Sequence, residues 1–405
     1  MRLVILTQYY PPEMGAPQAR LSELAKRFVA RGHEVTVVTA MPNYPTGKIH
    51  AGYGGLLRRE EHYGARVIRT FIYPTQRADF LHRLSNYFSF VFSSAFFGTF
   101  LLGRTDFIIV ESPPLFLGLA GYWLSRLKRA RLIFNVSDLW PDSVVRLGKL
   151  REGSRGHRCS LWLEKFCYGK AWLVSGQSAG ILQDIRRRFP SMRQFHLSNG
   201  VDPKAFNQSH RSEQLRQELG KGRSCLAIYA GLHGLAQGLD QILAAADRLR
   251  DLSELAIILV GDGPEKEDLQ RQAIAMQLPN VQFLPARPRG EMAALAASAD
   301  IALVTLKMHL PGAVPSKIYE AMGVGVPVLL VADGEPAEII RRTECGLVTP
   351  MNDAAALAEA LRKLVADPAL RRTCGENGRR AAETEFNRDI IVSRFIDYLE
   401  KAIAC

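Results

Sequence analysis

The sequence lacks the cysteine patterns of a metal centre or a disulfide framework. Its six cysteines are scattered, with no CxxC pair and no histidines clustered beside them, which argues against a structural zinc site and favours a reducing compartment. It also contains no low-complexity tract, no short internal repeat and no Asp-x-Asp motif. A composition of 47% hydrophobic and 23% charged residues excludes wholesale disorder, collagen and a coiled coil.

The length predicts two domains. At about 100–200 residues per domain, 405 residues are enough for two, each able to bury a sizeable core. The apolar run at the N-terminus is too short for a secretory signal peptide, and it predicts a first buried strand instead.

Charge is distributed unevenly between the two halves. Residues 1–200 hold 28 basic and 13 acidic side chains, a net charge of +15, whereas residues 201–405 have a net charge of −3. This asymmetry indicates that the first half meets an anion, and nucleic acid, anionic lipid and a phosphorylated substrate all fit. Solubility alone is the alternative explanation.

Both halves alternate apolar strand-like runs with helical patterns. The predicted strands are Leu3–Thr7, His33–Thr39, Arg66–Phe71, Phe107–Val110, Arg131–Val136, Trp172–Ser175, Leu226–Ala230, Ala256–Val260, Val281–Phe283, Ile301–Val304 and Val326–Val331. Runs that are apolar throughout and separated by helices are typical of parallel strands buried on both faces.

The predicted fold is therefore α/β, with two Rossmann-like, doubly wound parallel-sheet domains facing a cleft where a ligand would bind. We expect an N-terminal domain over residues 1–205 and a C-terminal domain over 206–387. The polar, turn-rich segment Asn199–Gly222 is predicted to be a linker between the two halves. Residues 388–405 form an amphipathic helix that we expect to return to the first domain.

A glycine-rich turn follows the predicted strand Leu226–Ala230. Gly231–Gly238 contains three glycines and leads into a helix, so its backbone N–H groups could approach a phosphate closely. Tight packing of strand against helix is the alternative reason for such a turn.

A second segment with chemical potential is Pro315–Met322. Pro315 and Ser316 begin a predicted helix, with Lys317 in its first turn and Glu320 one turn later on the same face. A lysine near a helix N-terminus is unfavourable unless an anion binds there. Glu320 could accept hydrogen bonds from a vicinal diol such as ribose, although a surface ion pair between the two residues remains open.

Several motifs together resemble family 4 glycosyltransferases of the GT-B fold, over nearly the whole chain. They are Tyr9–Gly15, Arg31–Thr39, Asp138–Asp142, Ser198–Asp202 with Phe206, and Glu320–Val328. Met41–Gly47 and Asp138–Pro141 are similar to a subgroup that builds bacterial surface polysaccharides and includes transferases for N-acetyl-fucosamine-type sugars.

The resemblance implies a nucleotide-diphosphate sugar bound mostly to the C-terminal domain, without a cofactor. Glu320 would then bind the ribose. Gly231 and Gly234 would face the diphosphate, and Gly15 would approach it from the other domain. Arg287 lies near the expected position of the base. The alternative is that it is simply an exposed arginine. Ser316, Gln237 and Glu338 complete the predicted substrate-binding residues.

The chain departs from the family pattern at two places. The first glutamate of the family pair falls at Gly312, and the basic pair that neutralises the diphosphate falls at Leu232 and Gln237. Lys317 is the candidate replacement for the missing cations, because a leaving group with two or more negative charges needs fixed positive charge.

The resemblance also implies a retaining mechanism, in which the departing phosphate can take the acceptor proton. Asp138 is the candidate supporting base, or it caps the following turn. Glu111 also ends a strand at the cleft edge. With no Asp-x-Asp motif, the GT-B resemblance argues against a metal-dependent mechanism.

The uncharged run Leu84–Gly103 is rich in phenylalanine. Its length would allow a transmembrane helix, but serines recur every four residues and the run lies between two strands of one sheet, so we exclude spanning. It either packs against the sheet or lies on an anionic membrane surface, and we favour the membrane. The arginines expected to face lipid or a polyprenyl-diphosphate acceptor are Arg58, Arg59, Arg66, Arg69, Arg77 and Arg83. We expect no nucleic-acid partner, because no recognition module is present.

The sequence therefore predicts a retaining glycosyltransferase that uses a nucleotide-diphosphate sugar, with UDP as the expected nucleotide, and a lipid-linked acceptor. It is expected to be cytoplasmic and peripheral at the inner face of the plasma membrane. A non-hydrolysing nucleotide-sugar epimerase and a non-catalytic sugar-nucleotide-binding scaffold are the alternatives. Gly312 argues against the epimerase, which needs several ionisable groups around the hexose.

Overall fold

The computed structural model describes residues 1–13, 15–44, 46–76, 80–146 and 148–404, which divide into two compact units. Unit 1 contains residues up to Ser198 together with the chain from Val392 onward, and unit 2 is Asn199–Ile391. The domain boundaries expected after residues 205 and 387 lie a few residues from these divisions.

Unit 1 is built on a single sheet. Its strands are β1 Arg2–Leu6, β2 Glu34–Ala40, β3 Leu57–His62, β4 Ala65–Thr70, β5 Phe107–Ser112, β6 Arg131–Val136, β7 Leu173–Gly176 and β8 Gln194–His196. Its helices are α1 Ala16–Ala30, α2 Phe80–Leu101, α3 Leu117–Lys128, α4 Asp142–Arg146, α5 Arg155–Lys170 and α6 Ala179–Arg188. In the described residues the strand order is β3-β4-β2-β1-β5-β6-β7-β8, and β3 alone runs antiparallel to its neighbour.

Unit 2, every residue of which the structure describes, has a fully parallel sheet. Its strands are β9 Cys225–Ala230, β10 Leu255–Val260, β11 Val281–Leu284, β12 Ile301–Thr305, β13 Val328–Val331 and β14 Gly346–Thr349, in the order β11-β10-β9-β12-β13-β14. Its helices are α7 Glu213–Gly220, α8 Asp240–Asp247, α9 Lys266–Ala275, α10 Met292–Ala297, α11 Ser316–Val324, α12 Gly334–Thr343, α13 Ala354–Ala366 and α14 Pro368–Thr384. The predicted α/β class is confirmed.

Each sheet has one point at which the strand order reverses. In unit 1 it lies between β1 and β5, and in unit 2 between β9 and β12. Ligands of open α/β sheets bind outside the carboxyl ends of the strands at such a point. The segments that follow these four strands are therefore the ones that can build a site.

Segment 199–222 is not a linker, contrary to the sequence interpretation. It belongs to unit 2, contains α7, and buries Leu219 to 2% exposure. Val201 also forms a β-bridge with Asn387. Its polar composition follows from the exposed face of α7, while its few apolar side chains join the unit 2 core.

The C-terminal helix, α15 Arg388–Ala404, belongs to unit 1 from Val392 onward. Phe395 is fully buried, with its ring 6.2 Å from that of Phe28 and 4.9 Å from that of Phe195. Arg31 forms an ion pair with Asp397 at 2.5 Å. The helix is thus part of the unit 1 core.

α2 contains most of the uncharged run noted in the sequence. Within the described chain, no helix, α2 included, combines the length and apolarity needed to cross a bilayer. Of the arginines expected to face lipid, Arg69 does not, because its side chain is 1% exposed and pairs with Glu60 at 2.6 Å. Arg77 lies outside the described residues.

We predict that Phe395→Ala destabilises unit 1 by about 3–5 kcal/mol, because it leaves a cavity between two aromatic rings. All four tryptophans lie in unit 1, so tryptophan fluorescence during urea unfolding reports this unit. The matched control is Ile403→Ala on the same helix, where the side chain is 46% exposed, with an expected change within about 0.5 kcal/mol. Equal effects of the two substitutions would contradict the packing.

Candidate active site

The turns after β9 and β10 interlock at the carboxyl edge of unit 2. Gly231 donates its N–H to Val260 O at 2.8 Å, and His233 donates its N–H to Asp262 O at 2.9 Å. A Cβ atom on Gly261 would collide with the carbonyl oxygen of Gly231. Glycine is therefore needed where the two turns touch, and the two hydrogen bonds join the Gly231 turn to the turn after β10.

Lys317 reaches this turn from the first turn of α11. A Cβ atom on Gly231 would collide with Cε and Nζ of Lys317, so the ammonium group lies directly against the glycine backbone. Its Nζ is also 5.4 Å from the centre of the Tyr229 ring. Among the described residues, no hydrogen-bonding or acidic partner lies within ion-pair distance of it. Burial lowers the pKa of Lys317, and the nearby Glu320 carboxylate opposes that shift.

Glu320 follows one turn later on α11, partly buried. Burial raises the pKa of its carboxyl group, while the positive charges of Lys317, Arg388 and Arg289 oppose this. Lys317 and Glu320 are therefore close enough to interact electrostatically, yet they form no direct ion pair. Two uncommitted charged groups beside a glycine turn are suited to a ligand that has both an anionic and a hydroxyl-bearing part.

The other predicted binding residues of unit 2 form no hydrogen bond or ion pair with Lys317 within the described chain. Gln237 lies in a 3₁₀ turn, and its buried Oε1 lacks a hydrogen-bond partner within the described chain. Ser316 is the first residue of α11. Arg287 lies near Glu291 and Glu218, with nitrogen–oxygen distances of 3.3 and 3.7 Å. Glu338 is exposed in the middle of α12. No contact joins these last two residues to Lys317.

His233 was missed in the sequence interpretation. It is fully buried between the rings of Tyr229 and Phe283, with ring centres 5.9 and 6.1 Å away. Neither ring nitrogen has a hydrogen-bond partner among the described residues, and burial lowers its pKa. Its position between two glycines was the available signal.

In unit 1, Glu111 occupies a buried polar cluster at the carboxyl end of β5. It is 2% exposed and forms an ion pair with Arg20 of α1. Its other partners are the Ser137 hydroxyl and the Asn135 amide, the latter at 2.6 Å. Arg20 also donates to Gln177 Oε1 at 2.9 Å. Both carboxylate oxygens are therefore occupied, and the cluster ties α1 to the ends of β5 and β6.

Arg20 was also missed, although a signal existed. It lies four residues before Leu24, on the buried side of α1, and a charged residue on an apolar helix face requires a partner. Asp138, after β6, is partly buried, and burial raises the pKa of its carboxyl group. Gly15 is the N-cap of α1, and a Cβ atom there would collide with Gln18 Oε1.

Histidine, cysteine, aspartate and glutamate side chains do not cluster in groups of three or more that could hold a metal ion, as far as the structure describes the chain.

Comparison with known proteins agrees with this architecture. Residues 15–200 match the family model of the glycosyl transferase 4-like domain, and residues 211–381 match that of glycosyl transferases group 1. The chain is 29% identical to WcaI of Escherichia coli strain K12, named as a colanic acid biosynthesis glycosyl transferase, over 82% of this chain and 84% of WcaI. It is 26% identical to WbjE of Pseudomonas aeruginosa, named as a glycosyltransferase, over 64% of this chain and 66% of WbjE.

Two solved structures share the fold. Sucrose-phosphate synthase from Thermosynechococcus elongatus superposes with a TM-score of 0.80 at 20% identity, covering 100% of this chain and 99% of the synthase. HepE from Anabaena, in complex with UDP and glucose, superposes with a TM-score of 0.74 at 20% identity, covering 99% of both chains. The predicted GT-B fold is confirmed.

We predict that Glu111→Ala lowers the free energy of unfolding of unit 1 by about 3–5 kcal/mol, because it leaves the Arg20 guanidinium buried without its counter-charge. In urea unfolding followed by tryptophan fluorescence, the Arg20→Ala, Glu111→Ala double variant should lose about 1–3 kcal/mol less than the sum of the single variants.

The control for this cycle is Arg187→Ala, which removes an ion pair to Asp184 from a side chain that is 77% exposed, with an expected change below about 0.5 kcal/mol. Strict additivity of the two buried substitutions would show that Arg20 and Glu111 do not interact.

Proposed function

Because the chain is a GT-B glycosyltransferase with a glycosyl transferase 4-like domain and a group 1 domain, we propose that it transfers a sugar from a nucleotide-diphosphate donor to a lipid-linked saccharide during synthesis of a bacterial surface polysaccharide. The proposed donor is UDP-linked, with an N-acetylated deoxyhexosamine as one candidate sugar. The resemblance to WcaI, named for colanic acid biosynthesis, and the fold shared with UDP-bound HepE support this proposal.

One observation carries the proposal: the Lys317 ammonium lies against Gly231 at the helix N-terminus without an acidic partner among the described residues. A cation in that position is destabilised by the helix dipole and by partial burial unless an anion joins it. A diphosphate provides this anion, and in a glycosyl transfer it is also the leaving group whose charge must be stabilised.

We assign the donor to residues of unit 2. Gly231 and Gly234 face the diphosphate, Lys317 neutralises it, and Glu320 accepts hydrogen bonds from the ribose hydroxyls. The further donor-binding residues that we propose are Ser316, Gln237, Arg287 and Glu338. Arg287 would have to leave its weak pairs with Glu291 and Glu218 to contact the base.

The proposed reaction retains the configuration of the sugar. The acceptor hydroxyl attacks on the face that the phosphate leaves, and the departing phosphate takes its proton. Asp138 acts as a supporting base, for which its raised pKa is suitable. Glu111, with both oxygens occupied, acts by holding Arg20 and α1 in place. That Gly15 approaches the diphosphate remains a prediction. Because Lys317 supplies the positive charge, the proposed mechanism needs no metal ion.

The proposed acceptor is a saccharide on polyprenyl diphosphate, which places the enzyme at the inner face of the plasma membrane as a peripheral protein. An acceptor of this kind also fits the net charge of +15 in residues 1–200.

The test of the proposed function is incubation of the purified chain with UDP-sugars and a bacterial lipid extract. A transferase releases UDP and extends the lipid-linked saccharide. Donor turnover without lipid would instead show an epimerase, and donor binding without any turnover would show a scaffold.

We predict that Lys317→Ala lowers kcat/KM for the donor about 100-fold or more, because it removes the charge beside the leaving group, and that Glu320→Ala lowers it as well. The thermal unfolding temperature of the ligand-free Lys317→Ala variant should not fall, because Lys317 has no ion pair to lose and the substitution removes a charge that is unfavourable without an anion. Lys363→Ala, on an exposed face of unit 2, is the control. Near-normal rates in both site variants would remove this donor site.

We also predict that Gly231→Ala weakens donor binding about tenfold or more, because the new methyl group must displace the Lys317 side chain. Calorimetric titration with the donor measures this. The matched control is Gly290→Ala, since a Cβ atom there meets no atom within 4 Å. Unchanged affinity in Gly231→Ala would mean that the position of Lys317 does not matter for binding.

A further inference from the structure

The long helix α2 turns its polar side towards the protein. Ser89 Oγ accepts the N–H of Tyr73 at 2.8 Å, and the Asn86 amide donates to Tyr73 O at 2.7 Å. The Ser93 hydroxyl lies 2.9 Å from that of Thr70. These side chains satisfy polar groups at and just beyond the end of β4. The polar face of α2, which would ordinarily contact water, therefore forms hydrogen bonds within unit 1.

The opposite side of α2 presents phenylalanine to the outside. Phe92, Phe96 and Phe100, spaced four residues apart, lie on one face. Their exposed fractions are 70%, 61% and 71%. Rings that large and that exposed are unusual in such number on one helix of a water-exposed surface.

Neighbouring helices extend this apolar surface. On α3, Trp123 is 57% exposed and donates its Nε1–H to Thr99 Oγ1 of α2 at 3.1 Å. On α5, Trp162 is 62% exposed and stacks on Phe166. The Phe166 ring lies 5.1 Å from the Tyr122 ring of α3. We name the exposed apolar side chains of these three helices the aromatic face: Phe92, Phe96, Phe100, Trp123, Leu127, which is 46% exposed, and Trp162.

The helices that form the aromatic face are strongly basic. α2 and α3 contain no acidic residue, and the one acidic residue of α5, Glu164, is 2% exposed and paired with Arg188. The basic residues of the same helices are Arg83, Arg126, Lys128, Arg155, Arg158, Lys165 and Lys170. These helices therefore combine exposed aromatic rings with an excess of basic over acidic residues.

We infer that the aromatic face docks unit 1 on an anionic lipid bilayer. The rings enter the boundary between headgroups and acyl chains, where tryptophan is favoured, and exposed basic side chains of the same helices, such as Arg126 and Arg158, contact lipid phosphates. A second copy of the chain fits less well, because pairing two such faces brings like charges together. The inference deepens the proposed function, on which it rests for the lipid-linked acceptor.

The experiment is flotation of the full chain with vesicles of phosphatidylglycerol and phosphatidylcholine, or of phosphatidylcholine alone, without any nucleotide sugar. The chain should bind the anionic vesicles, more weakly at high salt, and bind neutral vesicles less. The double variant Phe96→Ser, Trp162→Ser should bind at least about tenfold less. Arg126→Glu, Arg158→Glu should also lose binding to the anionic vesicles.

The matched control is Ile274→Ser on α9 of unit 2, where an apolar side chain is 76% exposed. It should bind like the unaltered chain. All variants change exposed side chains, so unaltered thermal unfolding shows that each is folded. Equal flotation of Phe96→Ser, Trp162→Ser and the control would overturn the inference, and so would no flotation of the unaltered chain.

Light scattering tests whether a second copy of the chain, instead of lipid, covers the aromatic face. A dimer that the Phe96→Ser, Trp162→Ser variant dissociates would assign the face to a second copy and overturn lipid docking. Failure of sugar transfer with vesicle binding intact would refute the proposed function and leave the docking face standing, because binding is measured without donor.

Discussion

The chemistry proposed for this protein requires one contact, that of the Lys317 ammonium group with the backbone of Gly231. The ammonium group of Lys317 fills the space that Gly231 leaves by lacking a side chain. It lies at the start of a helix, where the dipole repels it, and in surroundings that lower its pKa. Such a group is costly in the empty protein, and a diphosphate at the proposed donor site would make it favourable.

Sheet topology explains how these two residues meet. β9 and β12 are neighbours at the point where the strand order of unit 2 reverses. The Gly231 turn leaves β9, and the segment after β12 leads into α11, so both segments emerge at the same edge. Unit 1 repeats this arrangement with β1 and β5. Gly15 lies in the segment that follows β1, and Glu111 lies at the carboxyl end of β5. At this edge of unit 1, Arg20 and Glu111 pair with each other and join α1 to the sheet. At the corresponding edge of unit 2, Lys317 has no ion-pair partner among the described residues.

The fold could be predicted because its central strands are apolar throughout. β6 was predicted at its observed limits, and other apolar strands lay within a few residues of theirs. Three strands at sheet edges were missed: β3 because most of its side chains are charged, β8 because it is only three residues long, and β14 because it has four residues and contains Gly346. Edge strands carry little of the apolar pattern that reveals buried ones. The contact between Lys317 and Gly231 joins residues far apart in the chain, and no spacing rule reveals it. Periodicity showed the serine side of α2 correctly, but only the contacts with Thr70 and Tyr73 show that this side faces inward.

A structure of the full chain with a bound sugar nucleotide would show whether Lys317 contacts the diphosphate. The proposed donor site requires Nζ of Lys317 to lie within about 3 Å of a diphosphate oxygen, with the Gly231 backbone beside the same group. A diphosphate bound elsewhere, or a lysine side chain turned away from both phosphorus atoms, would contradict it.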